Sequence, residues 1–217
     1  MIRYLFLFLC AAFFFSCGSS RVVTDQLILF FDPPLVDTGI EKQPTDGYPF
    51  KVQIKDLELG RLCDNAGVII RSGDNTVQFS KTGLWAVRPN ITASDLLQQV
   101  LKKNIKFKSL KERYSDSSPD YSITGSLENI EEDFRKPENR SAMINITLQI
   151  VRIADDQIVF EKSYFKSSPV KDMENYGEFA KELSTSLSEL YSQFINDAIR
   201  VFNQELLANN AKNNGKD

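Results

Sequence analysis

Residues 144–151 read Ile-Asn-Ile-Thr-Leu-Gln-Ile-Val, and residues 121–128 read Tyr-Ser-Ile-Thr-Gly-Ser-Leu-Glu. Apolar and polar side chains alternate in both segments, and successive side chains of a strand point to opposite faces of a sheet. Each segment is therefore predicted to be a strand with one packed face. A turn at residues 154–157 leads into a third strand over 158–165. Because strands joined by short turns pair antiparallel, we predict an antiparallel meander.

Further strands are predicted upstream of the meander. Residues 26–31 form a continuous apolar run typical of a buried strand, and residues 50–55 alternate like a strand with one wet face. Segments 67–71 and 76–79 flank the turn residues Ser-Gly-Asp-Asn at 72–75, which indicates a β-hairpin. The sheet is therefore predicted to have several strands before its first helix.

Two amphipathic helices are predicted. A short helix spans about Ala93–Lys103, with Thr92 as its N-cap. A long C-terminal helix spans about 172–207, where apolar residues recur every three or four positions and widen in the second half, and we expect this stripe to pack on the sheet. The fold class is α+β: a mainly antiparallel sheet packed by one short helix and one long C-terminal helix.

The N-terminus has the pattern of a bacterial lipoprotein signal. The apolar run Tyr4–Phe15 has 12 residues, whereas a bilayer-spanning helix needs about 20. The sequence Phe-Phe-Ser-Cys that ends at Cys17 resembles the lipobox, in which the cysteine is lipidated and becomes the new N-terminus. We therefore predict lipid attachment at Cys17. The alternatives are an ordinary signal peptide, or a buried apolar helix, with Cys17 incidental.

These assignments divide the chain into four parts. Residues 1–16 are predicted to be the signal peptide, 17–25 a lipidated N-terminus and tether, and 26–207 a single α+β domain. Residues 208–217, rich in Asn and Lys, are predicted to be a disordered polar tail.

Composition narrows the function classes. The 217 residues carry 26 Lys and Arg against 29 Asp and Glu, a net charge of −3, which argues against nucleic acid as the main partner. Histidine is absent, which removes histidine-based catalysis and most transition-metal sites. The acidic pairs at 131–132 and 155–156 are interpreted as solvated charges in turns, and Cys63 as an inert thiol. No cofactor, metal site or enzymatic activity is predicted.

One region resembles a known family. The motif residues are Cys63 to Arg71, the turn at 72–75, Leu-Trp-Ala-Val-Arg-Pro at 84–89, and Ser-Asp-Leu-Leu at 94–97. Together with the lipobox, the later strands and the long C-terminal helix, they are similar to the auxiliary lipoproteins of Mce-type ABC lipid transporters, the family that includes paraquat-inducible protein C.

The resemblance implies a non-enzymatic lipoprotein at the periplasmic face of the bacterial outer membrane. Its partners would be a periplasmic Mce-family protein and the ABC transporter of that protein. It would contact the membrane through the N-terminal lipid, and it could form a homo-oligomer. Arg71 and Trp85 are expected to be architectural, with Trp85 covering the hairpin and Arg71 pairing or stacking nearby. The alternatives are a lipoprotein chaperone or plug for outer-membrane assembly of the lipopolysaccharide type, and a surface enzyme.

Overall fold

One mixed sheet of nine strands forms the framework of the computed structural model, which describes residues 24–39, 42–115, 117–172 and 175–214. Two helices, α1 (Pro89–Asn104) and α2 (Tyr176–Asn214), accompany it, with 3₁₀ turns at Arg61–Cys63 and Pro137–Asn139. The predicted lipid-attachment residue Cys17 lies outside the described residues. The strands are β1 (Asp25–Leu27), β2 (Tyr48–Ile54), β3 (Glu58–Leu59), β4 (Gly67–Gly73), β5 (Thr76–Trp85), β6 (Phe107–Lys111), β7 (Tyr121–Asp133), β8 (Ser141–Arg152) and β9 (Gln157–Pro169).

The long strand β7 organises the sheet. One of its edges pairs antiparallel with β8 from Tyr121 to Asp133, and β8 in turn pairs antiparallel with β9. Three short strands, β2, β3 and β4, lie one after another along the other edge of β7, all parallel to it. Strand β5 pairs antiparallel with β4 and parallel with β1, and β6 pairs parallel with β2.

The predicted α+β class, the meander and the hairpin are confirmed. The sheet is mixed rather than purely antiparallel, because β2, β3 and β4 run parallel to β7 and two further pairs, β1 with β5 and β2 with β6, are also parallel. Side-chain alternation identifies a strand but does not determine the direction of its neighbour. The longest ladders, β7 with β8 and β8 with β9, are nevertheless antiparallel.

Both helices pack on one face of the sheet. The inward side chains of β8, such as Ile146 and Leu148, are fully buried, as are Val52 and Ile123 on neighbouring strands. The widened apolar half of α2 belongs to this core, as the sequence predicts. Its buried residues there include Tyr191, Phe194, Ile195, Ile199 and Phe202.

The helix ends differ from the predictions. Helix α1 begins at Pro89, since proline fits the first helical position, where no backbone N–H is needed. Thr92 is not the N-cap: it lies inside the helix, where its hydroxyl donates to the carbonyl oxygen of Pro89. Helix α2 extends to Asn214, so 208–214 continue the helix rather than forming part of a disordered tail. Once a helix is formed, each further residue adds a backbone hydrogen bond without a new nucleation step.

The predicted buried strand at 26–31 is also shorter than expected. After β1 the chain leaves the sheet and crosses the helices as an extended segment, residues 28–36, which we call the strap. The backbone N–H of Phe30 donates to Oγ of Ser184 in α2, and the Phe31 and Tyr191 rings lie 6.3 Å apart. Within the strap, Leu29 points inward and is buried, whereas its neighbours Ile28 and Phe30 point outward.

Among the described helices, none combines the length and the apolar character needed to cross a bilayer.

Candidate functional site

The sheet face opposite the helices is accessible and mainly polar on strands β7, β8 and β9. We call it the open face. The hydroxyls of Thr147 and Ser163 lie 2.8 Å apart across β8 and β9. Phe165 pairs with Asn145 and is 61% exposed on this face, whereas the next residue inward, Tyr164, is buried against α2. An exposed aromatic ring in a polar surround has the composition of a protein-binding hot spot.

A charged cluster lies where β4 and β7 end on the open face. The Arg71 guanidinium donates to both carboxylate oxygens of Glu131, with N–O distances of 2.7 and 2.8 Å. The Glu131 side chain is 2% exposed and that of Arg71 is 19% exposed. This bidentate pair, formed across the neighbouring strands, fixes the position of the strand ends.

A second, exposed set of ion pairs continues the cluster. Arg135 donates to Asp133 at 2.8 Å and to Asp74, in the hairpin turn, at 3.3 Å. The hydrogen bonds from Arg135 hold the pKa of the Asp133 carboxyl below its usual range, and the two carboxylates raise the pKa of Arg135. A cavity of about 410 Å³ opens between the hairpin turn and β7–β9, lined by Asp74, Asp133, Arg135, Lys136, Asn139, Ser141 and Ser167.

Glu131 and Glu132 correct the sequence interpretation. We expected them to be solvated charges in a turn, but they lie in the last part of β7 and are buried. Glu132 points to the helix side and accepts from Arg140, whose guanidinium lies 4.5 Å from the centre of the Phe134 ring. Burial raises the pKa of Glu132, and the pairing with Arg140 partly opposes this shift. Pairing with Arg71 and Arg140 therefore allows this acidic pair to be buried, whereas Asp155 and Asp156 do lie in a turn.

The structure separates Arg71 from Trp85. They lie at opposite ends of the β4–β5 hairpin: Arg71 pairs with Val77 near the turn, whereas Trp85 ends β5. Trp85 is 8% exposed, and its backbone N–H donates to the carbonyl oxygen of Ala66. A small cavity of about 270 Å³ lies beside Trp85 and the buried thiol of Cys63. Burial raises the pKa of Cys63, which lowers its thiolate fraction at neutral pH.

This arrangement is suited to recognition. Arginine guanidiniums, carboxylates and one exposed phenylalanine share the open face, and a partner could use all three. In the described ranges, no three Cys, Asp or Glu side chains gather as a metal-binding set. Sequence reasoning did not identify Phe165 as an exposed residue, because alternation alone does not tell which face of a strand the helices cover. It did not identify Arg135 either, because the partner Asp74 is distant in sequence.

The fold defines a small α+β domain whose sheet leaves one face open. The family model for the ABC-type transport auxiliary lipoprotein component matches residues 35–194, and the chain belongs to that family. The family is a transport component and not an enzyme family, so an ABC transporter is the partner that membership implies.

Solved structures share the fold. Protein XCC0632 from Xanthomonas campestris is 12% identical, with a TM-score of 0.65 over 80% of this chain and 98% of that one. An uncharacterised protein is 11% identical, with a TM-score of 0.52 over 81% of this chain and 98% of that one. The comparison with curated proteins finds no match.

Proposed function

We propose that this chain is a lipid-anchored, non-enzymatic accessory subunit of an Mce-type ABC lipid transport system, placed at the periplasmic face of the outer membrane. The observation that carries the proposal is membership in the family of ABC transport auxiliary lipoproteins. The lipobox-like sequence before Cys17 supports the anchor, and the residue after it, Gly18, differs from the Asp associated with inner-membrane retention. The resemblance of the 63–97 region to Mce-associated lipoproteins supplies the partner.

The open face is the surface that we propose for docking the periplasmic Mce assembly. Its exposed aromatic residue, Phe165, and the neighbouring arginines are the residue types that contribute most to binding energy at protein interfaces. The charged cluster would determine orientation and association rate more than affinity, because exposed ion pairs contribute little free energy.

Site-specific photocrosslinking tests this docking surface. A benzophenone amino acid at Phe165 should crosslink in cells to an Mce-family protein, identified by mass spectrometry. The matched control is Leu207, which is 69% exposed on α2 and therefore away from the open face. Crosslinking to the Mce protein from Leu207 but not from Phe165 would refute the open face as the docking surface. A lipopolysaccharide-assembly protein captured at Phe165 would favour the chaperone or plug alternative.

The anchor has its own test. Cys17→Ser should abolish metabolic labelling by a radioactive fatty acid and either release the protein from the membrane fraction or leave it unprocessed, because only cysteine carries the thioether-linked lipid. Labelling that persists in the variant would refute the attachment site.

Genetics tests the shared pathway. Deleting the gene should impair detergent resistance as deletion of the cognate Mce gene does, and the double deletion should add little. Additive defects would contradict a common transport system.

A further inference from the structure

The outward side of the strap exposes a row of apolar side chains. Ile28, Phe30 and Leu35 are 50%, 69% and 77% exposed, although the buried Leu29 lies between the first two. Val87, also exposed, extends the row, because the backbone N–H of Ala86 donates to the carbonyl oxygen of Leu27, next to Ile28. Contiguous exposed apolar residues mark an interaction surface more often than isolated ones do.

The polar backbone of the strap is bonded inward. The N–H of Phe30 donates to Ser184, and the N–H of Val36 donates to Oδ1 of Asn104. The carbonyl oxygen of Pro33 accepts from Lys103, and that of Pro34 accepts from Asn104. Because these backbone groups already have partners in the protein, the outward face can leave water without losing their hydrogen bonds. This property suits an apolar environment.

Chain length places this row near the anchor. Six residues, 18–23, separate Cys17 from Thr24, where the described chain begins, and the seven Cα–Cα steps between them span at most about 25 Å in any conformation. Thr24 must therefore lie within about 25 Å of the bilayer when Cys17 carries the lipid, which leaves the strap within reach of the membrane surface. If the strap meets the membrane, the open face, on the other side of the sheet, points toward the periplasm.

Positively and negatively charged side chains border the apolar row. Lys102 and Lys103 lie in the last turn of α1, and Lys106 follows them, whereas Asp32 is exposed on the strap and Asp37 is exposed directly after it. A phospholipid headgroup layer, which carries ammonium and phosphate groups together, complements such a mixture. The long side chains of Lys102 and Lys106 can extend to the phosphates while apolar side chains enter the layer below, and Lys103 stays bonded to the strap backbone.

From these observations we propose that the outward side of the strap lies on the phospholipid surface, with Ile28, Phe30 and Leu35 inserted at the headgroup–acyl boundary. The lipid at Cys17 and the strap would then fix the orientation of the domain, with α1 and α2 toward the membrane. This inference rests on the anchor proposed above and adds a second membrane contact, one made by side chains.

Fluorescence of a labelled lipoprotein in vesicles tests the contact. In a Cys63→Ala background, Phe30→Cys is labelled with the environment-sensitive fluorophore NBD, and the acylated protein is reconstituted into phosphatidylethanolamine–phosphatidylglycerol vesicles. Doxyl-labelled phospholipid should quench NBD at position 30 at least twofold more than at position 165. Phe165→Cys is the matched control, since Phe165 is equally an exposed aromatic residue but lies on the open face.

The outcomes separate this inference from the anchor. If the protein sediments with vesicles but NBD is quenched equally at both positions, the anchor is supported and the strap contact is refuted. Protein that does not sediment, together with an unacylated Cys17 by mass spectrometry, refutes the anchor instead. A third outcome is a shift of the NBD emission at position 30 that is not quenched by doxyl lipid and disappears on dilution to one protein per vesicle. It would show that the strap contacts a second copy of the protein, and it would refute the membrane contact.

Discussion

Arg71 and Arg135 bind carboxylates at the same end of the sheet, but the burial of their partners differs. Glu131 is buried, so removing its partner leaves an uncompensated charge inside the protein. We expect Arg71→Ala to lower the free energy of unfolding by about 3 kcal/mol, near the low end for buried pairs because Arg71 itself is partly exposed. Urea denaturation followed by circular dichroism measures this loss.

Arg135 provides the control for that substitution. Its side chain is 42% exposed, and its partners Asp133 and Asp74 are 19% and 87% exposed, so water can solvate both carboxylates when Arg135 is removed. Arg135→Ala should therefore lower the urea midpoint much less than Arg71→Ala, and adding Glu131→Gln to Arg71→Ala should restore part of the lost stability. Equal losses for Arg71→Ala and Arg135→Ala would show that burial of Glu131 does not decide the effect.

Trp85 belongs to the core and not to the open face. Removing most of a buried indole leaves a cavity, so Trp85→Ala should lower the free energy of unfolding by about 3–5 kcal/mol. Trp85→Phe keeps an aromatic ring and should lose less. Thermal unfolding of both variants checks the order, and an unchanged melting temperature with lost partner binding would place Trp85 in an interface.

At the scale of elements, the contact between β5 and the start of α2 depends on a glycine. A Cβ at Gly83 would lie 2.7 Å from the Tyr176 ring, whereas a Cβ at Gly73 in the same hairpin would meet only Thr76, at 3.5 Å. Gly83→Ala should therefore cost about 1–3 kcal/mol through overpacking. Gly73→Ala should be close to neutral, and chemical denaturation of the two variants tests the difference. A stable Gly83→Ala protein would mean that α2 can shift away from the sheet.

Local patterns identified most of the elements, but not the strands β3 and β6, and not how distant elements combine. Alternation in 144–151 and the helical stripe of α2 identify their elements, since burial follows directly from a period of two or 3.6 residues. The parallel arrangement of β2, β3 and β4 along β7 depends on contacts between residues far apart in sequence. For the same reason Glu131 appears to be a surface charge until its partner, 60 residues away, is known.

The candidate site was predictable only in part. Arg71 and Trp85 were selected from a family resemblance, and their surroundings required the fold. The strap shows the opposite case: the apolar run at 26–31 predicts a buried strand, yet only alternate residues are buried because the chain leaves the sheet and lies over the helices. A run of apolar residues therefore indicates that at least one side of the segment is buried in the protein. The other apolar side can instead contact a partner.

On the scale of the whole molecule, the two proposed surfaces lie on opposite sides of one rigid core. The strap covers the helix layer, and the open face is the far side of the sheet. Between them, Tyr48 from β2 and Phe202 from α2 belong to one aromatic cluster, with ring centres 5.6 Å apart. Contact between the strap and a membrane would then orient the open face without any conformational change in the domain.

The rigidity of this core predicts the chemistry of Cys63. Its thiol is buried, donates weakly to the carbonyl oxygen of Glu128 at 3.6 Å and has a raised pKa, so both access and thiolate fraction are low. If only global unfolding exposes it, labelling by a thiol reagent at pH 8 should be at least about a thousandfold slower than in urea, for a stability of 5 kcal/mol or more. Because the pKa of Cys63 lies above its ordinary value, the thiolate fraction of the folded protein should still increase with pH in the range where the thiolate fraction of a free thiol has already levelled off.

The neighbouring cavity beside Trp85 offers a competing route, in which a local opening admits the reagent to a folded protein. The two routes differ in their response to denaturant: global unfolding accelerates labelling steeply with urea, and local opening does not. The control is Phe165→Cys in a Cys63→Ala background, which should react at the rate of a free thiol. Fast, urea-independent labelling of Cys63 with native circular dichroism would show that the end of the hairpin opens independently of the rest of the domain.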